Sequence, residues 1–179
     1  MKKLYLFVIL FSLGGVLSNL KAQVTFSHSA GVFSTNLTSN IPAGLAYSPR
    51  VNFLELTDES TLSFGTHLGL GITGGWASDL LVDVPLVVEY NFGHASSPYS
   101  DALFGGFVGL GYDYMHIESL GDEPSTLRQS IHGPMVNAGI RAIVLEVPFM
   151  LRAAYTLNLN DHQGNPTNVL VLGLLFNLN

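Results

Sequence analysis

The chain has 179 residues, of which 47% are hydrophobic and only 11% charged, with no cysteine and a net charge of −6. Soluble proteins carry roughly 25% charged residues, so this composition cannot cover an ordinary water-facing surface. The acidic balance offers no footprint for nucleic acid, and the lack of cysteine excludes both a disulfide framework and a lipid-modified N-terminal cysteine.

Lys2 and Lys3, the apolar stretch Leu4 through Leu17 and the small-residue end Leu20-Lys21-Ala22 read as an export signal over residues 1–22. Cleavage is expected after Ala22, leaving a mature start at Gln23. The apolar stretch is shorter than the about 20 residues of a spanning helix. All three lysines fall in this segment and all 13 acids beyond it, so the mature chain carries 4 − 13 = −9. Residues 23–179 suit one domain.

Beyond the leader no apolar run is long enough for a transmembrane helix. Period-2 alternation predicts strands instead, at about 24–34, 43–55, 61–73, 80–93, 102–117, 131–144, 147–160 and 167–178. The third and fourth are the clearest. Leu62, Phe64, Leu68, Leu70 and Ile72 alternate with Ser63, Gly65, His67, Gly69 and Gly71, and Val82, Val84, Leu86, Val88, Tyr90 and Phe92 with Asp83, Pro85, Val87, Glu89, Asn91 and Gly93. Turn formers separate the strands at 57–60, 74–79, 96–98, 121–125 and 160–166.

Eight antiparallel strands close either as a soluble cup with an apolar lining or as a membrane barrel with an apolar exterior. The faces favour the membrane form. Gly, Ser, Thr and Asn dominate the polar faces, as a narrow interior requires, and large apolar residues make up the others. A cylinder wrapped in such residues exceeds any exposed patch a soluble monomer tolerates. Closure is needed as well, because a sheet edge in hydrocarbon leaves backbone groups unpaired. Tyr90, Phe92, Tyr112 and Tyr114, with Tyr47, Phe53, Phe149 and Tyr155, lie where aromatic girdles belong.

In the Lys-Ala-Gln end of the leader, in Tyr47-Ser48-Pro49-Arg50-Val51-Asn52-Phe53 and Val88-Glu89-Tyr90-Asn91-Phe92-Gly93, and in the apolar final strand, the chain resembles small OmpA/OmpX-type outer-membrane β-barrel proteins, particularly the Bacteroidetes-type families. It departs from many of them in ending Phe176-Asn177-Leu178-Asn179 rather than on an aromatic residue. The resemblance implies an all-β, eight-stranded up-and-down transmembrane barrel in the cell outer membrane, with both termini in the periplasm. The connections near 35–42, 74–79, 118–130 and 161–166 then lie outside the cell, the longest of them carrying Glu118, Asp122, Glu123 and Arg128. The partners implied are outer-membrane lipids, the barrel assembly machinery during insertion, and an extracellular or envelope protein of unknown identity.

Chemistry-bearing motifs are sparse. Gly69-Leu70-Gly71-Ile72-Thr73-Gly74 fits GxGxxG, but no helical pattern follows it, as a dinucleotide site requires. His116, His132 and His162 fall near the outer rim without ligand spacing, so no metal site and no cofactor is expected. Ser63 and His67 share an inward strand face, as ordinary neighbours do. The inward positions with charge are Arg50, His67, Asp83, Glu89, Asp113, Arg141 and Arg152. Residue counting puts Arg50, Glu89, Arg141 and Arg152 at similar depth, which predicts a polar network in which Glu89 bridges at least two arginines and closes the lumen.

The expected function is therefore that of a non-enzymatic outer-membrane barrel, structural or presenting loops to a partner, and not a general porin. The alternatives are a lipid A-modifying enzyme of the acylase or deacylase type, and a soluble periplasmic barrel holding an apolar ligand.

Overall fold

A computed structural model describes residues 24–37, 42–72, 79–119, 129–160 and 168–178. Expectations for the leader, for the loop residues 73–78 and 120–128, and for His162 fall outside them. The described strand segments are β1 (Thr25–Thr35), β2 (Ala43–Thr57), β3 (Ser60–Thr66), β4 (Leu68–Ile72), β5 (Asp79–Asp83), β6 (Leu86–Gly93), β7 (Phe104–Ser119), β8 (Gln129–Val144), β9 (Val147–Leu157) and β10 (Asn168–Asn177).

Two pairs of these segments are single strands with a local interruption. β2 keeps one register across the gap at His67, pairing Arg50 with Gly65 and Tyr47 with Leu68. β7 does the same across Val84-Pro85, pairing Asp83 with Met115 and Leu86 with Tyr112. Pro85 has no N–H to give to the ladder, and the Val84 N–H still reaches the Tyr114 carbonyl at 2.9 Å. The ten segments thus make eight antiparallel strands, matching the eight predicted ranges to within about two or three residues at most ends. β1 pairs with both β2 and β10, so the sheet is closed. Closure leaves no edge strand to lipid, the condition for crossing a bilayer with strands.

Connection lengths orient the barrel. At one end the turns are Asp58-Glu59 and Leu145-Glu146, with one longer connection over 94–103. At the other end every connection is several residues long. Outer-membrane barrels put short turns in the periplasm and long loops outside. Phe26, Phe53, Phe92, Phe104 and Phe176 face outward at the short-turn end, and Tyr112, Tyr114 and Tyr155 face outward toward the other. They form the two aromatic belts between which Val32, Leu70, Val88, Leu110, Ile140 and Leu172 stand exposed.

The interior departs from expectation in its outer half. Instead of small and polar residues alone, Leu81, Met115, Ile117, Ile131, Val169 and Val171 pack there as a buried apolar cluster. These side chains lie close to the loop ends of their strands, where several outward neighbours, His116, Glu118, Ser130 and His132, are polar. At the rim the polar residues face outward and the apolar ones fill the lumen. Inward glycines admit larger neighbours: a Cβ on Gly69 would stand 2.9 Å from the Phe33 ring and 3.0 Å from the Asp83 Cβ.

Candidate functional site

The four arginine and glutamate positions singled out from the sequence all point into the lumen. Arg50, Glu89, Arg141 and Arg152 are 7%, 2%, 2% and 6% exposed. Alternation puts them there, since each lies between outward apolar neighbours such as Tyr90, Ile140 and Leu151. Their connectivity differs from the expected bridge, because Glu89 does not touch an arginine. Its Oε1 meets His67 Nε2 at 2.8 Å and accepts from Asn137 Nδ2. Arg152 Nε donates to Asn137 Oδ1 at 2.8 Å, so Asn137 relays the contact between Arg152 and Glu89. Arg141 Nη2 donates to Asn91 Oδ1 at 2.7 Å, and Asn91 Nδ2 donates to Ser63 Oγ at 2.8 Å. The Arg141 guanidinium also lies 4.6 Å from the centroid of the Phe107 ring.

The physical reason is reach. Short amides fit between strands where a long acid and a long base meeting head-on would need a longer span. An Asn can also donate and accept at once, which a carboxylate cannot. Asn91 and Asn137 were not singled out in the sequence, although both occupy inward positions. Their signal was parity alone, without charge to draw notice.

His67 completes a chain from Ser48 to Glu89, with Ser48 Oγ 2.7 Å from His67 Nδ1. Serine, histidine and carboxylate in hydrogen-bonded sequence is the pattern of an activated nucleophile. Here the three residues are buried, and the space beside them, lined in part by Ser48, Arg50, His67 and Glu89, is a cavity of about 10 Å3. That admits about one water. An acyl substrate has no place there, so the chain acts as a polar strut between strands. Ser63, which shares a strand face with His67, bonds Asn91 instead.

Toward the loops, Asp83 and Asp113 are electrostatic neighbours of each other and of Arg152. Thr156 Oγ1 donates to Asp113 Oδ2 at 2.6 Å. Above them lies the apolar cluster. Toward the periplasm the 94–103 connection folds back into the mouth. Ser96 is fully buried and its carbonyl accepts from Asn52 Nδ2 at 3.3 Å and from Thr61 Oγ1 at 2.8 Å. Arg50 Nη2 donates to the Ala95 carbonyl, and Ser97 Oγ to that of Asp58. Ala95 takes φ of +55°, a left-handed conformation that a residue other than glycine holds only when its surroundings fix it. Partial burial lowers the basicity of His94 at the start of this connection, while a contact from Nδ1 to the Ala102 carbonyl, 3.1 Å, works the other way. The lumen is thus occupied from end to end: a loop stopper, a polar network, an acidic pair and an apolar cap.

On the outer wall near the rim, Tyr112 OH meets His132 Nδ1 at 2.7 Å, and Ser130 Oγ lies 3.2 Å from His116 Nδ1 and 3.3 Å from Tyr114 OH. Among the described residues no group of three His, Cys, Asp or Glu side chains is arranged to hold a metal ion. Gly69 through Ile72 of the GxGxxG match are strand β4 and part of the wall. The soluble-cup alternative is overturned by the surface: large apolar residues are exposed on strands all round the cylinder, and among the described residues the cavity beside His67 and Glu89 takes about one water.

No protein-family model matches the sequence, and the search of curated proteins also finds no match. Solved structures do match. The outer membrane enzyme PagL aligns with a TM-score of 0.53 at 16% identity, over 86% of this chain and 98% of that one. Ail, the attachment invasion locus protein of Yersinia pestis, in complex with the heparin analogue sucrose octasulfate, gives 0.52 at 11% identity, over 85% and 97%. Neisserial surface protein A gives 0.52 at 9% identity, over 89% and 97%. At these identities the likeness is one of fold, and enzyme and surface protein share that fold alike. Strand number, closure, connection lengths and this likeness agree that the chain has the fold of the small outer-membrane β-barrels.

Proposed function

We propose that this chain is a non-conducting barrel of the outer membrane that acts through what it presents at its ends, as a structural element of the envelope or by offering extracellular loops to a partner protein. The observation that carries this reading is the filled lumen, which leaves neither a solute path nor an internal binding space. In the same reading residues 1–22 are a cleaved export signal, the outer wall is solvated by membrane lipids, and the barrel assembly machinery inserts the chain. General diffusion is not its role, because eight strands leave an interior just wide enough for side chains.

A second reading, a lipid-modifying hydrolase, is favoured by one feature: Ser130 and His116 lie 3.2 Å apart on the outer wall near the rim, within reach of lipid rather than sealed inside. One experiment separates the two. Cells lacking the gene are complemented with the parent, with Ser130→Ala or with His116→Ala, and both envelope leakiness and the acyl pattern of lipid A are measured. The non-enzymatic reading expects all three to restore the envelope and to leave lipid A unchanged. Loss of rescue by both variants, together with an acyl pattern that changes only with the parent, would replace it with the hydrolase.

A further inference from the structure

Strand pairing sets Val108, Ala138, Ala153, Leu172, Ser34 and Ala43 side by side in one row across β7, β8, β9, β10, β1 and β2. All of them lie on the outer wall, and four are Ala or Ser. The outward row on one side of it holds Ile140, Leu151, Leu174, Val32 and Leu45, and the row on the other side Leu110, Val136, Tyr155 and Leu170. Both flanking rows are large and exposed, so the small row is the floor of a trough between two ridges.

The trough is roomy and has two different ends. Space of about 910 Å3 is lined by Ser34, Ala43, Ala138 and Ala153 among others, and an adjoining space of about 450 Å3 shares Val108, Ala138 and Ala153 with it. Paired rows run across the strands and the strands tilt in the bilayer, so the trough climbs the wall obliquely. Its lower end lies toward the short turns and is closed by the Phe92 ring, which covers Gly106: a Cβ there would stand 2.9 Å from the ring. The upper end lies where β1 and β2 meet the long loops. Ser34 is there, with exposed Asn36 beyond it, whose Oδ1 accepts from the Leu170 N–H at 2.8 Å and whose amide nitrogen remains a donor.

We propose that this trough seats one acyl chain of a lipid of the extracellular leaflet, its tail against Ala138 and Ala153 and its ester or amide linkage beside Ser34 and Asn36. A hollow left empty loses dispersion contacts along its whole lining, and a flexible unbranched chain can follow the oblique floor. The polar groups occur only at the upper end, where such a lipid carries its own. A second copy of the barrel fits less well, because the trough winds across six strands and a straight cylinder would touch only a short part of it. The inference rests on the reading that lipid solvates the outer wall, and gives one lipid a fixed place and direction there.

The test uses the barrel refolded into phosphatidylcholine vesicles doped with palmitoyl phosphatidylcholine that carries a photoreactive diazirine, either at the chain end or beside the carbonyl. Labelled residues are mapped by mass spectrometry. The chain-end probe should label Ala138, Ala153 and their strand neighbours above the level found at Phe64 and Val88 elsewhere on the wall, and the carbonyl-side probe should label Ser34 and Asn36. In the double variant Ala138→Leu with Ala153→Leu, which fills the floor with apolar bulk, chain-end labelling at positions 138 and 153 should fall to the level at Phe64 and Val88. Even labelling round the wall, the two probes in reversed positions, labelling unchanged in the double variant, or cross-linked dimers joined through the trough would overturn the inference while leaving a lipid-solvated barrel in place. A parent that does not enter the vesicles would overturn both. If the double variant does not fold, the parent's two-probe pattern decides the matter.

Discussion

The two halves of the lumen fill the same narrow cylinder by different chemistry. In the periplasmic half Arg50, His67, Glu89, Asn91, Asn137 and Arg141 are joined through amides and a folded-back loop, with Phe107 beneath one guanidinium. In the extracellular half Leu81, Met115, Ile117, Ile131, Val169 and Val171 predominate, as part of a buried apolar cluster that also takes in Val87, Met150 and Leu175 of the other half. Apolar packing loses stability roughly in proportion to the volume removed, whereas a buried polar network fails when one member is lost and its partners keep their charge. The contrast implies that the outer cap is tolerant and the inner plug brittle.

Substitutions can break that contrast. The largest effect is expected for Glu89→Ala, which strips His67 and Asn137 of their shared acceptor and the arginines of their counter-charge. A loss of about 3–5 kcal/mol in urea unfolding from lipid vesicles is expected. Leu81→Ala should cost about 2–4 kcal/mol, as a partly collapsing cavity does, while Leu81→Met should cost under about 1.5 kcal/mol. An isosteric swap in the plug, Asn137→Leu, should by contrast approach the cost of Glu89→Ala, and equal tolerance at positions 81 and 137 would erase the distinction between the halves. On the lipid face, Val88→Arg should lower stability by about 2–4 kcal/mol according to depth, measured in the same vesicles.

The smallest effect concerns the stopper. Burial favours neutral His94, so its folded pKa lies below the ordinary imidazole value. The unfolded chain then binds more protons, and the contribution of His94 to stability is complete above pH about 6.5 and declines as pH falls below that value. His94→Gln should flatten this part of the pH profile, read as the rate at which protease cuts the 94–103 connection. An identical acid response in parent and variant would remove His94 from the account.

Much of the architecture was legible in the sequence, and the reason is periodicity. In segments such as 86–93 each outward residue is apolar and, Val87 apart, each inward one small, polar or charged, so strand, face and inward charge could all be read together. The interruptions at His67 and Pro85 were invisible to that reading because they leave the register unchanged. The apolar cap was missed because the faces exchange character near the loop ends: Ile117 lies between outward His116 and Glu118, and Ile131 between outward Ser130 and His132, so an apolar residue there does not mark the lipid side. The inward set of charges was legible, but its wiring was not: which acceptor Glu89 meets depends on side-chain reach across the cylinder, and Asn137 carries no charge to mark it. The stopper was likewise hidden, since Ala95-Ser96-Ser97 reads as an ordinary turn until its carbonyls are seen to meet Arg50, Asn52 and Thr61.

The central claim is that this lumen is filled and closed, and planar bilayer recording of the refolded barrel tests it most directly. With the parent protein the account predicts a flat baseline without stable conductance steps, and the same flat baseline for Leu81→Ala, whose cavity opens only within the cap. Long-lived steps on the scale of large diffusion pores from the parent would contradict it.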